Sequence, residues 1–354
     1  MDLQILPLDH PKPRISDENN LVFGKQFTDR MFVMEYDSGK GWHSARIQPY
    51  APFVLDPAAM VFHYSQEIFE GLKAFRRADG SIALFRPADN VARFNRSARR
   101  MCMPEVDESF FLAALLRLVR LEADWVPHNQ GTSLYIRPAM IATEPMLGVR
   151  PSNKYLCYII LSPVGAYYKG GVAPVKIWIS DFYVRATEGG TGEAKTGGNY
   201  AASLYAAKQA ADNGYDQVLW LDAKERRFVE EVGSMNMLFL YDGKIVTSPL
   251  RGTVLDGITR RSALALLGEM GYQIEERALT VDEVMAGAAS GRLTEAFGTG
   301  TAVVISPVGS FCYKGSCVQL GDGHPGKLTM ELYNKLTAIQ YGKEADHHNW
   351  VTAL

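Results

Sequence analysis

The sequence predicts an α+β protein of two domains, and three observations carry that prediction. At 354 residues the chain exceeds the size at which one hydrophobic core keeps growing. Its strand-like runs come mostly in adjacent pairs closed by turn residues, with helical stretches between the pairs rather than after every strand. Three glycines between Pro163 and Pro174, in Val-Gly-Ala-Tyr-Tyr-Lys-Gly-Gly-Val-Ala, mark a linker near mid-chain. The expected division is a small N-terminal domain at 1–164, a linker at 165–175 and a large C-terminal domain at 176–354.

In order along the chain, 32–36 and 45–49 read as strands. Runs 71–75 and 82–85 flank Arg77-Ala-Asp-Gly80, and Asp-Gly between apolar runs signals a hairpin. Pro87 opens a helix through 101. The spacing predicts a further helix over 107–124, where Phe111, Leu115, Leu118 and Val119, with Leu112 and Leu116 beside them, form a core-facing stripe. Strands follow at 134–136 and 155–161. The second half opens with a strand at 175–179 and a helix at 201–211 stopped near Asn213-Gly214. Two hairpins come next, 217–221 with 227–229, and 237–241 with 244–247 around Asp242-Gly243. Helices are expected at 259–270, closed by Gly271, at 280–286, where Thr280 and Glu283 have capping-box spacing, and at 327–341.

Composition removes several classes of function. An apolar fraction of 47% and a charged fraction of 21% describe a soluble globular protein. Net charge −2, a pI near 6.4 and the lack of a basic run give no reason to expect a nucleic-acid or anionic-membrane partner. Residues 1–20 lack the apolar core of a signal peptide, and no apolar run reaches the ~20 residues that span a bilayer, so a cytoplasmic protein is expected. Cys102, Cys157, Cys312 and Cys317 form no Cys-x-x-Cys. A Cys312–Cys317 pair is conceivable across its Gly-containing turn, with free thiols the expectation. His347-His348 has no carboxylate cluster to complete a site, and no metal is expected.

The stretch Glu193-Ala-Lys195-Thr-Gly-Gly-Asn-Tyr200 carries the chemistry. A lysine among glycines can cradle a nucleotide phosphate or form an imine with a carbonyl cofactor. Gly189 to Thr196 nearly matches a phosphate loop. It has Ala194 where the motif needs glycine and Gly197-Gly198 where a helix must begin, and its strand ends near Ser180, too far upstream. An imine-forming lysine working with pyridoxal phosphate needs an acid for the pyridine nitrogen, a helix N-terminus and a cation for phosphate, and a hydroxyl near the ring oxygen. Glu230-Glu231-Val-Gly-Ser-Met-Asn236 and Asp256-Gly-Ile-Thr-Arg260, with the lysine stretch itself, offer a candidate for each.

Nine motifs then stand in one order: Leu-Val-Phe-Gly-Lys25, His63-Tyr64 with Phe69-Glu-Gly-Leu-Lys-Ala-Phe75, Phe85-Arg-Pro87, Ser133-Leu-Tyr-Ile-Arg-Pro138, Glu144-Pro-Met-Leu-Gly148, Lys195-Thr-Gly-Gly-Asn-Tyr200, Glu231-Val-Gly-Ser-Met-Asn236, Gly257-Ile-Thr-Arg260 and Phe297-Gly-Thr-Gly-Thr-Ala302. By these the chain resembles the branched-chain amino-acid aminotransferases of fold-type IV, over roughly 21–350. The resemblance implies a two-domain fold like that of D-amino-acid aminotransferase, with the active site at the domain interface, and pyridoxal 5′-phosphate as cofactor. It implies reversible ping-pong transamination of L-leucine, L-isoleucine or L-valine with 2-oxoglutarate. Other enzymes of that fold, a D-amino-acid aminotransferase or a lyase, are the alternatives.

The resemblance also assigns roles. Lys195 is the imine lysine and proton carrier, Glu231 partners the pyridine nitrogen, and Tyr200 bonds the ring hydroxyl oxygen. Glu230 points elsewhere if the segment is extended, since neighbouring strand residues face opposite ways. Phosphate falls to Arg93, Ser234, the amides of Ile258 and Thr259, and Thr301. Phe23, Tyr64, Phe69, Tyr135 and Tyr200 line an apolar substrate pocket, Tyr64 with the amides of Thr301 and Ala302 takes the α-carboxylate, and Arg137 receives a γ-carboxylate. The loop at Leu147 and Val149 enters a neighbouring subunit, implying a homodimer. Two departures from the pattern stand out. Val303 and Ser306 replace the redox Cys-x-x-Cys of animal members, and Asp256 stands where proline is common.

Overall fold

The computed structural model describes residues 1–165 and 172–354, and its contacts divide the chain into two units. Unit one takes Met1–Tyr167, Ala194–Gly197 and Ile339–Leu354; unit two takes Tyr168–Glu193 and Gly198–Ala338. The units are therefore not two continuous blocks, as the expected cut had them. The C-terminal strand Val351–Ala353 returns to pair with Ile82–Phe85, and the segment around Lys195 returns to bond with first-unit partners. Residues 166–171 of the expected linker lie outside the described residues.

Unit one runs β1 (Gln4–Ile5), β2 (Arg30–Asp37), β3 (Gly41–Pro49), α1 (Met60–Tyr64), β4 (Glu67–Phe69), β5 (Leu72–Arg76), β6 (Ile82–Phe85), α2 (Pro87–Arg100), α3 (Glu108–Leu121), β7 (Ser133–Ala142) and β8 (Lys154–Val164). Both long helices start where the sequence says. Pro87 needs no hydrogen-bond donor in the first turn of α2, and the Asp107 side chain accepts from the Phe110 N–H to cap α3. The strands order as β1-β3-β2-β8-β7-β5-β6 followed by the C-terminal strand, with β4 on β7. The stripe Phe111, Leu115, Leu118 and Val119 is buried, with Phe94 of α2, in one core with Phe32, Ile47, Leu134 and Ile136 of the sheet. Leu112 and Leu116 flank it, half-buried.

Unit two runs β9 (Val175–Ile179), α4 (Gly197–Asp212, its first residue grouped with unit one), β10 (Gln217–Leu221), β11 (Val229–Val232), β12 (Met235–Tyr241), β13 (Lys244–Thr247), α5 (Ile258–Glu269), β14 (Ile274–Glu276), α6 (Val281–Ser290), β15 (Leu293–Gly300), β16 (Val304–Tyr313), β17 (Ser316–Gln319) and α7 (Lys327–Gln340). The expected hairpins β10–β11 and β12–β13 form, and Thr280 and Glu283 make the reciprocal capping box of α6. The strand order β11-β10-β9-β16-β15-β12, with β11 also paired to β12, closes a ring of strands that leaves β11 no free edge.

Three expectations change. Helix α4 begins at Gly197 rather than 201, so a helix does follow Lys195, and only Ala194 and the distant strand end argue against the phosphate loop. Strands β15 and β16 form where none was assigned. Cys312 and Cys317 are disulfide-bonded, because the β16–β17 register sets them opposite each other with Cα atoms 4.1 Å apart. Among the described residues, no helix is long and apolar enough to cross a membrane.

Candidate active-site residues

In unit one the backbone around Lys195 is pinned from both sides. Its N–H donates to Ser97 Oγ of α2 (2.9 Å), and its carbonyl accepts the Phe69 N–H of β4 (3.0 Å). Thr196 Oγ1 donates to the Glu67 carbonyl (2.7 Å). The next residue must be glycine for a steric reason: a Cβ on Gly197 would stand 1.8 Å from Glu67 Oε1. Glycine here permits close packing of the segment on β4, which holds the lysine in one place.

The Lys195 ammonium lies 5.0 Å from the centre of the Phe69 ring, and the Arg137 guanidinium lies 4.6 Å from it. Tyr135 and Arg137 are two apart on β7 and so face the same way. Arg137 Nη2 donates to Tyr135 Oη (3.0 Å), and Phe23 meets the Tyr135 ring edge-on at 4.8 Å. Five residues assigned to catalysis and substrate binding thus come together: Phe23, Phe69, Tyr135, Arg137 and Lys195. Glu67 beside them is half-buried, which raises its carboxyl pKa while Arg137 pulls it back. Tyr64, at the end of α1, has its ring beside His63. Leu147 and Val149 stand 68% and 89% exposed on their loop.

Arg93, assigned to phosphate, is paired with a carboxylate in this structure. Its Nε and Nη2 form a two-pronged ion pair with Glu70 (2.7 and 2.9 Å), both side chains are buried, and the Gly71 N–H adds a third donor to Glu70. The fork geometry that suits a phosphate suits a carboxylate equally, and here a carboxylate from the same unit holds that face. Glu70 stands inside one of the nine motifs, which assign it no role.

In unit two, β11 and β12 pair through Glu231↔Asn236 and Val232↔Met235, so Gly233 and Ser234 form a two-residue turn. The Glu231 carboxylate is 2% exposed and meets three donors: Arg185 Nε at 2.7 Å, the Leu255 N–H at 2.8 Å and Asn236 Nδ2 at 3.1 Å. An ionised carboxylate accepts and does not donate, so this shell fits the charged form. Arg185 is fixed in turn by the carbonyls of Thr253 (2.6 Å) and Gly192 (3.2 and 3.3 Å). It lies in a loop without periodicity, and sequence reasoning missed it. Glu231, Tyr200 and Ser234 line one small pocket of about 20 Å³ with Arg185, Asn199 and Leu255. Three residues assigned to one ligand from two separate motifs therefore share a lining.

Helix α5 starts at Ile258, as expected, with Gly257 as N-cap and no side-chain cap. Its first amides are unclaimed by a capping side chain, the condition for anion binding at a helix start. A Cβ on Gly257 would stand 1.9 Å from Asn236 Oδ1, so glycine lets the helix start close on Asn236. Asp256, the unexpected acid, has Arg261 Nε at 3.4 Å, one turn into the helix, which offsets its charge. Thr301 and Ala302 occupy the turn joining β15 to β16, both half-buried.

A family model described as amino-transferase class IV matches residues 67–311. The chain is 55% identical over 339 residues to branched-chain-amino-acid transaminase 1 of Bacillus subtilis strain 168, covering 96% of this chain and 95% of that one. It is 52% identical over 340 residues to a branched-chain-amino-acid aminotransferase of Mycolicibacterium smegmatis, covering 95% and 92%. A solved structure of the T.th. branched-chain amino acid aminotransferase with pyridoxamine 5′-phosphate is similar at TM-score 0.75 and 26% identity, over 90% of this chain and 97% of that one.

Proposed function

The chain belongs to the class IV aminotransferase family, and we propose from that premise how its residues work as a branched-chain amino-acid aminotransferase. The reaction exchanges the amino group of L-leucine, L-isoleucine or L-valine with 2-oxoglutarate, giving the branched 2-oxo acid and L-glutamate. The cofactor is pyridoxal 5′-phosphate. The observation that carries the assignment of roles is the pocket on which Tyr200, Ser234 and the donor-surrounded Glu231 converge. An acid kept as an acceptor, with two hydroxyls and an uncapped helix start as donors, makes the set of partners this cofactor needs.

When bound, the cofactor supplies an electron sink for the carbanion at the substrate Cα. Lys195 carries it and moves the Cα proton; pinned on both sides, its backbone keeps the amine positioned for that transfer. Glu231, held by Arg185, Leu255 and Asn236, keeps the ring nitrogen protonated. Tyr200 donates to the ring oxygen. Ser234, Thr301 and the amides of Ile258 and Thr259 bind phosphate. Arg93 contributes charge there, with Nε and Nη2 spent on Glu70.

Phe23, Phe69 and Tyr135 give the aliphatic side chains an apolar wall. The Arg137 guanidinium lies near the Phe69 and Tyr135 rings, so this apolar wall also carries a charge for the γ-carboxylate of glutamate. One site can then accept apolar and acidic partners in alternate half-reactions. Tyr64 with Thr301 and Ala302 takes the α-carboxylate. The exposed Leu147 and Val149 serve the site of a second copy in a homodimer, and the enzyme works in the cytoplasm.

The test is an amino-donor comparison on the purified holoenzyme with 2-oxoglutarate as acceptor. L-leucine is expected to turn over and D-alanine to fail, with activity lost in Lys195→Ala. Preference for D-alanine, or an active Lys195→Ala, would sink this reading.

A further inference from the structure

Adjacent residues of an extended strand face opposite ways, and on β11 this sends Glu230 away from Glu231. Glu230 lines a cleft of about 530 Å³ inside unit two. Its side chain is 7% exposed, and its Oε1 accepts the Thr253 hydroxyl at 2.5 Å. Oε2 is buried without a hydrogen-bond partner among the described residues. A buried carboxylate oxygen with no donor is costly and is tolerated where a ligand supplies the donor.

The surrounding groups do not meet that need. Thr253 has given its only hydroxyl proton to Glu230, and Ser248 gives its own to the Val229 carbonyl. Asp222, another acid of the lining, accepts the backbone N–H groups of Glu225, Arg227 and Phe228. The two cations of the lining, Lys224 and Arg251, are exposed and so are screened by solvent. Apolar wall comes from Phe228, Val229, Pro249 and Val254. The cleft thus offers one buried acceptor, a surplus of carboxylates over cations and a greasy wall, in a volume that suits a small molecule.

We propose that this cleft is a second binding site, for a small protonated amine with a short apolar tail, its N–H bonded to Glu230 Oε2. A protonated amine fits because it brings both the missing donor and a charge opposite to the carboxylate, which offsets the desolvation of burial. The proposal does not depend on the assignment of Lys195.

The probe is the N,N-dimethylbutylammonium ion, titrated into the holoenzyme by calorimetry. As a tertiary amine it has one N–H and cannot condense with a carbonyl, so it reports on this cleft and not on carbonyl chemistry. Saturable binding of one ion per chain is expected, weakened about tenfold or more in Glu230→Gln. Binding should be abolished by Ala223→Phe, which adds a ring to the lining and keeps the Glu230 side chain, and unchanged in Lys195→Ala. Each variant is first shown to melt cooperatively. No saturation with wild type, equal affinity in Glu230→Gln and Ala223→Phe, or loss of binding in Lys195→Ala would each overturn the proposal.

Discussion

Glu230 and Glu231 are neighbours on one strand, equally encoded and both buried, yet the two faces of β11 treat them in opposite ways. Glu231 meets a guanidinium, a backbone amide and a side-chain amide. Glu230 meets one hydroxyl and an open cleft. Thr253 and Leu255 link the faces. The Thr253 hydroxyl serves Glu230 while its carbonyl holds Arg185, and the Leu255 N–H serves Glu231. The difference teaches that burial does not define an acid's role; the donors assembled around it do. One carboxylate is fixed as an anion, and its neighbour is left with an unmet need.

The comparison breaks most sharply at Arg185. Arg185→Met removes the guanidinium paired with Glu231 and should cost roughly 3–5 kcal/mol, because an uncompensated charge stays buried. Chemical denaturation midpoints measure it, and a loss under about 1 kcal/mol would show that the carboxylate relaxes to another partner.

Thr253→Val acts on the other face. It deletes the hydroxyl donor of Glu230 and keeps the backbone carbonyl that holds Arg185, so a smaller loss of about 1–3 kcal/mol is expected. Equal losses from the two variants would erase the distinction between the faces.

The smallest effect is one of pH. Burial raises the Glu230 carboxyl above its ordinary value; the Thr253 bond opposes this, and the charge of Glu231 adds to it. A raised folded pKa means the folded chain holds the proton more tightly. That stabilisation is complete below the unfolded carboxyl range and is lost as pH rises through the folded value. Unfolding midpoints of wild type should therefore decline relative to Glu230→Gln as pH is raised from the ordinary carboxylate range upward. A difference that stays flat with pH would show that Glu230 has an ordinary affinity for its proton.

Much of the fold was legible because the signals were local. The α3 stripe, the Thr280–Glu283 box and the hairpins β10–β11 and β12–β13 each rest on residues close in the chain, and each formed. The start of α4 was missed because Gly197 and Gly198 are poor helix formers, and packing against Glu67 overrides that preference. The return of Val351–Ala353 to β6 and the Cys312–Cys317 pairing depend on register, which no run of residues announces.

The candidate site divides the same way. Helix-start chemistry marked Ile258 and Thr259, strand alternation separated Glu230 from Glu231, and the resemblance alone marked Ser234. Arg185, far along the chain from Glu231 and in a loop without pattern, gave no signal. Arg93 was marked for phosphate by the resemblance alone, and only packing revealed the Glu70 carboxylate against its fork.

The sequence by itself determined most of the elements and the motif order, since these rest on spacing and residue chemistry along the chain, and the resemblance those motifs carry singled out Lys195. The tertiary structure alone decided which buried acid has its charge compensated and which lacks a donor. Hydrogen bonds and ion pairs fall off within a few ångströms, so their partners are set by proximity in space, and proximity is a product of the whole fold.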